Sequence, residues 1–355
     1  MSQSDVTFVV MAGGRGERLW PLVRAVMPKV CLSPNGAASL VRATVDRLHR
    51  LEPRAHWLIV TTQGQDEAVR AALPARLRRY VLVEPEIKNT AACVALAALR
   101  VAAARPRSVL VVVPADHWVG DVRAFQHALR QAIHAARQRP TLATIGVRPT
   151  AARTGLGYLC GGARAGGRAA GPSRRLVRFI EKPSPAQARR LVRRPATFWN
   201  VGVFVGRAEV FVSVITRWLP AHHRRLSAAA ALTGGALQRR LRSAYRGLTA
   251  VSFDQGVMRH VRDGVMIEGR FPWEDLGSWD VWARLGKAGQ RTLFIDSHDV
   301  SVVGEPGHLV AAIGVRNLLV VQTPSATLLC RPERAQSVRQ LVQELARRPQ
   351  LQAYL

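Results

Sequence analysis

Lysine is scarce in this chain of 355 residues: four stand at positions 29, 88, 182 and 287, and the other 48 basic residues are arginine. Acidic side chains are also few, 23 against 52 basic, which leaves a formal charge of +29. Aromatic residues make up only 6% of the chain, and no basic run alternates with them. The stacking platforms of a nucleic-acid binder are therefore missing, no specific nucleic-acid partner is expected, and the arginines read as a solvated surface. No apolar run reaches the roughly 18 residues needed to cross a bilayer, so no membrane partner is expected. The start, Met1-Ser2-Gln3-Ser4-Asp5, lacks the basic opening of a secretory signal. The four cysteines (Cys31, Cys93, Cys160, Cys330) form no CxxC pair, which argues against a zinc site or disulfide scaffold and suits a cytoplasmic protein. What is present is 48% hydrophobic residues, enough for a sizeable core, over a length that suits two or three domains.

Short β-branched runs at 7–11, 57–61, 80–83, 109–113, 144–147, 176–180 and 201–205 read as strands. Between them, 39–51, 66–79, 90–104, 122–138 and 207–219 carry apolar residues at helical spacing. This alternation implies an α/β fold, Rossmann-like, with a mainly parallel sheet and helices on both faces. Residues 161–173 read as an exposed Gly/Ala/Arg loop. After about residue 286 the texture changes to short strands at 300–303, 309–313, 318–322 and 327–330, closed by a helix around 334–346. The expected division is a domain over 1–286 and a small β-rich, β-helix-like appendage over 287–355.

The first strand runs into Ala12-Gly13-Gly14-Arg15-Gly16-Glu17-Arg18-Leu19-Trp20-Pro21. A glycine-rich turn at the C-terminal end of a strand lets backbone N–H groups close around phosphate oxygens. Neither G-x-x-x-x-G-K-[ST] nor G-x-G-x-x-G fits, and a glycine cluster alone is equally a plain tight turn. Its company favours phosphate: Arg18 follows at once, and Lys29 stands in Pro28-Lys29. Two carboxylates also stand out, Asp116 after the most hydrophobic strand and Asp275 in Trp273-Glu274-Asp275-Leu276-Gly277-Ser278-Trp279. Two separated aspartates suit Mg²⁺ shared with phosphates, whereas either alone is a helix cap or turn residue.

The ordered set resembles a family. The first loop, Pro28-Lys29, Glu84-Pro85 with Lys88-Asn89-Thr90-Ala91, Pro114-Ala115-Asp116-His117, Glu181-Lys182-Pro183, Trp199-Asn200, Ser252-Phe253-Asp254 and Asp275-Leu276-Gly277-Ser278-Trp279 look like the mannose-1-phosphate guanylyltransferases, sugar nucleotidyltransferases that make GDP-mannose. The resemblance runs from Val6 to about Trp282 and extends into the C-terminal part.

That resemblance implies transfer of GMP from GTP to mannose 1-phosphate with release of pyrophosphate and Mg²⁺ as cofactor. Arg18, Lys29 and Lys182 would be catalytic. Ala12, Gly13, Gly14, Gly16 and Arg18 would cradle the triphosphate, with Lys88, Asn89 and Thr90 beside the nucleoside. Gly157, Glu181 and Asn200 would face the sugar, and Asp116 and Asp275 would hold the metal. Which group reads guanine is not legible. Three departures bear on rate and selectivity. Glu17 replaces the family's usual Thr, a like charge beside a triphosphate unless Arg15 or another cation pairs with it. Val30-Cys31 replaces Gln-Phe, and residues 254–260 lack the usual Tyr-Ala and Glu-Lys pairs. Transfer to another hexose 1-phosphate or from another nucleotide, or a non-catalytic binding role, are the alternatives. The C-terminal segment is expected to pack on the catalytic domain, or on a second copy in a homodimer, without taking part in chemistry.

Overall fold

The computed structural model describes residues 4–24, 27–34, 38–164, 173–285, 291–304 and 307–355. Val6–Met11 (β1), His56–Thr62 (β2), Val81–Glu84 (β3) and Val109–Pro114 (β4) are short β-branched runs, the composition that fills a sheet covered on both faces. They are all parallel, in the order β3-β2-β1-β4. Alternation along β1 sends Phe8 and Val10 into one core layer and Val9 into the other. The helices Leu40–Leu51 (α1), Asp66–Ala72 (α2) and Asn89–Ala104 (α3) form the crossovers. The helix expected over 66–79 stops at Ala72, because Pro74 has no N–H to continue it; a 3₁₀ turn, Ala75–Tyr80, follows.

Next come His117–Val119 (β5), Val122–Gln138 (α4), Ala143–Val147 (β6), Gly157–Arg164 (β7), Ser173–Glu181 (β8), Pro185–Val192 (α5) and Thr197–Arg207 (β9). Ala208–Trp218 (α6), Pro220–Ser227 (α7), Gly234–Arg246 (α8), Phe253–Gly256 (α9), Val265–Gly269 (β10), Trp273–Asp275 (β11) and Trp279–Leu285 (α10) complete this part. The sheet continues from β4 in the order β9-β6-β10-β8-β7. Here only β6 and β10 are parallel, so parallel pairing governs the first half and the second half is mixed. Tyr158 of β7 also pairs with Trp199 of β9, which closes the second half on itself. The loop expected over 161–173 is strand at both ends, since β7 runs to Arg164 and β8 begins at Ser173; residues 165–172 lie outside the described residues.

The C-terminal part holds Arg291–Ile295 (β12), His298–Val303 (β13), Leu309–Ile313 (β14), Arg316–Gln322 (β15), Thr327–Cys330 (β16) and Val338–Arg347 (α11). Arg291 pairs with Leu309 and His298 with Arg316, both in parallel ladders at the same 18-residue step, the geometry of one β-helix coil. Leu319, Val321, Leu328, Val338 and Leu345 share a buried cluster with Leu19, Trp20, Leu276, Trp279 and Trp282. Each such side chain contributes about 1.5–3 kcal/mol on burial, so the two parts are joined by a true core. Trp20 Nε1 also donates to the Tyr354 carbonyl at 2.8 Å. Among the described residues no helix is long and apolar enough to cross a membrane.

Candidate active site

Because β1 to β4 are parallel, their C-terminal ends (Met11, Thr62, Glu84, Pro114) share one edge, where open α/β sheets place their ligands. The glycine loop leaves β1 at this edge. Thr61 Oγ1 donates to the Ala12 carbonyl at 3.1 Å and Gln65 Nε2 to the Gly14 carbonyl at 2.9 Å, so β2 and the turn into α2 hold the loop's shape. Gly14 and Gly16 have φ of +140° and +59°, which L side chains adopt only with strain, and a Cβ at Gly16 would lie 2.9 Å from Val23. Ala12 lies beneath the loop, its N–H already donated to the Val60 carbonyl. Beyond the loop opens a cleft of about 280 Å³, lined by Gly13 to Arg18, Lys29, Asp116 and Asp275. Arg18 is exposed there and makes no ion pair among the described residues.

Lys29 is buried in the 3₁₀ turn after Pro28, and its Nζ lies 2.7 Å from Asp116 Oδ2 and 3.2 Å from Asp275 Oδ1. Burial works against its charge, but the two carboxylates outweigh burial and hold its pKa above the ordinary lysine value. Burial also pushes Asp116 upward, and the Lys29 ammonium reverses this, leaving the carboxyl far below the usual range. β5 and β11 create the juxtaposition, for Asp275 pairs directly with His117. The bidentate Arg153–Glu274 pair fixes β11 from behind, with Arg153 Nη2 2.8 Å from Glu274 Oε1.

Asp116, His117 and Asp275 bring one donor atom each within 4.8 Å of one another. Burial lowers the His117 pKa, against the pull of the two aspartates, so the ring is neutral at pH 7. Its Nδ1 accepts from Trp273 Nε1 at 3.3 Å, which places the proton on Nε2, 3.5 Å from Asp116 Oδ1. His117 in this tautomer orients Asp116. The two carboxylates, which share Lys29, supply the oxygen donors of this group, a set that fits a hard divalent cation.

A second hollow of about 260 Å³ lies across Gly13 and Gly14, lined by Glu84, Lys88, Asn89 and Thr90. Lys88 pairs with Glu86 at 3.1 Å. Asn89 has a φ of 65°, and its Oδ1 accepts from the Thr90 N–H at 2.8 Å. The Thr90 hydroxyl accepts from the Phe253 N–H at 2.9 Å, tying this wall to α9. Glu84 ends β3 and accepts from Tyr245 Oη at 2.7 Å. Burial raises its pKa to about 7, in spite of that hydrogen bond.

The remaining expected residues gather elsewhere. A Cβ at Gly157 would meet Phe179 at 2.8 Å and Glu181 Oε2 at 2.9 Å, so the glycine makes room for that carboxylate. Lys182, at a φ of 45°, sits 3.6 Å from Glu181 and is 58% exposed. Asn200 Nδ2 donates to Asp254 Oδ1 at 2.7 Å. Burial and then the Glu181 charge push Asp254 to about 7, and burial raises Glu181 as well, in spite of Lys182. Gly202, two residues past Asn200, has its missing Cβ position 3.6 Å from the His117 ring, so this cluster adjoins the aspartates.

Three residues at the site were outside the sequence reading of roles. Glu84 and Asp254 stand inside quoted motifs, and only their burial reveals them. Arg339 of α11 lines the cleft beyond the glycine loop and carried no signal at all, since nothing local in the sequence places it near that loop.

The fold and site define a nucleotidyltransferase. The chain belongs to the nucleotidyl transferase family, whose model matches residues 7–288, and a MannoseP isomerase/GMP-like beta-helix domain matches 290–345. It is similar to a mannose-1-phosphate guanylyltransferase of Salmonella muenchen, with 33% identity over 95% of this chain and 72% of that protein. It is also similar to the xanthan biosynthesis protein XanB of Xanthomonas campestris pv. campestris strain B100, with 32% identity over 96% of this chain and 73% of that one. A crystal structure described as mannose-1-phosphate geranyltransferase from Thermus thermophilus superposes with a TM-score of 0.81 and 32% identity, covering 96% of this chain and 99% of that chain.

Proposed function

We propose that the chain transfers GMP from GTP to mannose 1-phosphate, forming GDP-mannose and pyrophosphate. The observation that carries this reading is the pair of hollows meeting at Gly13 and Gly14, one walled by cations and aspartates, the other by a buried carboxylate. A nucleoside triphosphate laid across the loop puts its base in one and its phosphates in the other. Guanine offers N1–H and N2–H₂ donors, and Glu84 is an acceptor suited to both; adenine offers an acceptor at N1, which a carboxylate repels. The names of the relatives support mannose as the sugar.

In this reading the N–H groups around Gly13, Gly14 and Gly16, together with Arg18, hold the triphosphate. Lys88, Asn89 and Thr90 wall the nucleoside. Glu181, Asn200 and Asp254 meet the sugar hydroxyls beside Gly157, and Lys182 pairs with the sugar phosphate. An oxygen of mannose 1-phosphate attacks the α-phosphorus in line, the bond from α-phosphorus to the bridging oxygen breaks, and pyrophosphate leaves with the electron pair. The protein aligns two polyanions and offsets charge on the transferring group. Asp116 and Asp275 would hold Mg²⁺, which supplies positive charge to the phosphate oxygens. Lys29, which lines the same cleft, adds a fixed positive charge beside the transferring phosphate.

We assign the groups around the reacting phosphate to a domain over 1–286 and the packing core to one over 287–355, and place the protein in the cytoplasm. Leu293, Ile295, Leu309 and Ile313 lie exposed along one face of β12 and β14, the surface on which a second copy would dock. The test is a panel of nucleoside triphosphates and hexose 1-phosphates with Mg²⁺, products being identified by mass. GDP-mannose as the fastest product supports the reading; a faster product from another pair overturns the assigned substrates.

A further inference from the structure

The C-terminal segment carries no phosphate-binding pattern, yet it reaches the phosphate cleft. Arg339, the second residue of α11, lines that cleft with Gly16, Arg18 and Lys29. Its Nε lies 3.1 Å from Glu17 Oε2, while the other oxygen of Glu17 takes Arg15 Nη1 at 3.3 Å. The segment packs on the catalytic part as expected, and the same packing brings one of its side chains to the cleft. The helix is anchored from below, with Val338 and Leu345 in the core shared with Leu19 and Trp20. The guanidinium end is not buried, for the Arg339 side chain is 59% exposed.

We infer that Arg339 is a phosphate-binding residue of the nucleotide site, supplied by the C-terminal domain and positioned by Glu17. An exposed ion pair contributes little to folding, so stability does not explain this bridge. Binding explains it better. Glu17 is a carboxylate inside a loop shaped for a polyanion, where it repels phosphate when bare. With each oxygen on a guanidinium it instead holds two forks at the rim of the cleft. An arginine fork can bond two phosphate oxygens at once, and a pre-placed fork loses less freedom on binding. Glu17, the departure from the family pattern, and Arg339, the unheralded arginine, thus explain each other. The inference rests on the reading of the site as a nucleoside triphosphate site.

The test uses the full chain and five proteins: wild type, Arg339→Ala, Arg339→Lys, Glu17→Gln and the Arg339→Ala/Glu17→Gln double variant. Calorimetry measures affinity for Mg·GTP and for inorganic tripolyphosphate, and kinetics measure KM for each substrate. Arg339→Ala is expected to weaken both ligands by about tenfold while the KM for mannose 1-phosphate and the melting temperature stay unchanged. Arg339→Lys should recover part of the loss. Glu17→Gln should weaken GTP more when Arg339 is present than when Arg339 is Ala, because only the Arg15 fork then remains to be released. Unchanged tripolyphosphate affinity in Arg339→Ala overturns the inference, and an identical effect of Glu17→Gln in both backgrounds removes the positioning role. Wild type that binds tripolyphosphate but not GTP overturns the functional reading instead, leaving Arg339→Ala to decide this one. Wild type that binds neither overturns both.

Discussion

The Lys29 ammonium stands 2.7 Å from Oδ2 of Asp116 and crosses to Asp275 at 3.2 Å, so one buried cation ties β4's end to β11. Both carboxylates face the place a divalent cation needs, and the lysine is the only charge between them among the described contacts. Asp116→Asn and Asp275→Asn are each expected to lower kcat on the order of a hundredfold. Either variant takes one carboxylate from the buried Lys29, so the melting temperature should fall, more for Asp116→Asn, whose carboxyl that lysine holds ionised. Steady-state kinetics over a Mg²⁺ titration, with a melting curve for each protein, check this.

Lys29 and Lys182, the two lysines proposed to act on the phosphates, carry the same charge in different surroundings. The Lys29 side chain is 9% exposed, whereas that of Lys182 is 58% exposed. A guanidinium is broader than an ammonium and its donors are fixed in a plane. Lys29→Arg is therefore expected to cut kcat/KM on the order of a hundredfold. Lys182→Arg has room to adapt and should lose no more than about tenfold. Lys287→Arg, outside every motif and outside the described residues, is the control and should be silent. Equal, mild effects at all three positions would contradict the argument.

The strands were legible where one physical signal dominated. Val109 to Val113 is an unbroken aliphatic run, β-branched at every position but Leu110, and the structure buries it entirely as β4. The helix over 66–79 failed because Pro74 ends it, a local rule outweighed in the reading by apolar spacing. β12 was not read as a strand, since its core-facing and exposed positions do not alternate in polarity: Leu293 and Ile295 lie exposed. At the site, the glycine loop, Lys29 and the two aspartates are chemically distinctive, and they come together. Glu84 and Arg339 were invisible in their roles for a different reason. Their meaning depends on Tyr245 and Glu17, which lie far from them in sequence and near only through topology.

Glu84 should control the base. With its pKa near 7, the free carboxyl gains a proton as the pH falls below 7 and loses one acceptor for guanine. The KM for GTP is thus expected to rise below pH 7, by up to about tenfold per unit. Glu84→Gln should flatten that dependence and narrow the preference for GTP over ATP, because the amide N–H₂ sets a donor against guanine's own donors where the carboxylate offered only acceptors. A pH series with both nucleotides measures it. An unaltered preference would contradict the assignment of Glu84.

Asp254 makes a stability prediction with the opposite look to most carboxylates. Its pKa is raised to about 7 in the fold, so the folded state binds more protons than the unfolded state from about pH 4 to 7. Its contribution to stability is present at low pH and is lost as the pH rises through 7. Asp254→Asn keeps the acceptor for Asn200 and removes the titration. The variant should gain melting temperature relative to wild type as the pH goes from 5 to 8. A constant difference across that range would contradict the burial of this carboxyl.

Pyrophosphate release with GTP and mannose 1-phosphate, each omitted in turn, tests the central claim most directly. The expected result is rapid release only when both substrates and Mg²⁺ are present, with GDP-mannose formed in equal amount. Release that continues without mannose 1-phosphate, or no release although GTP binds, would contradict it.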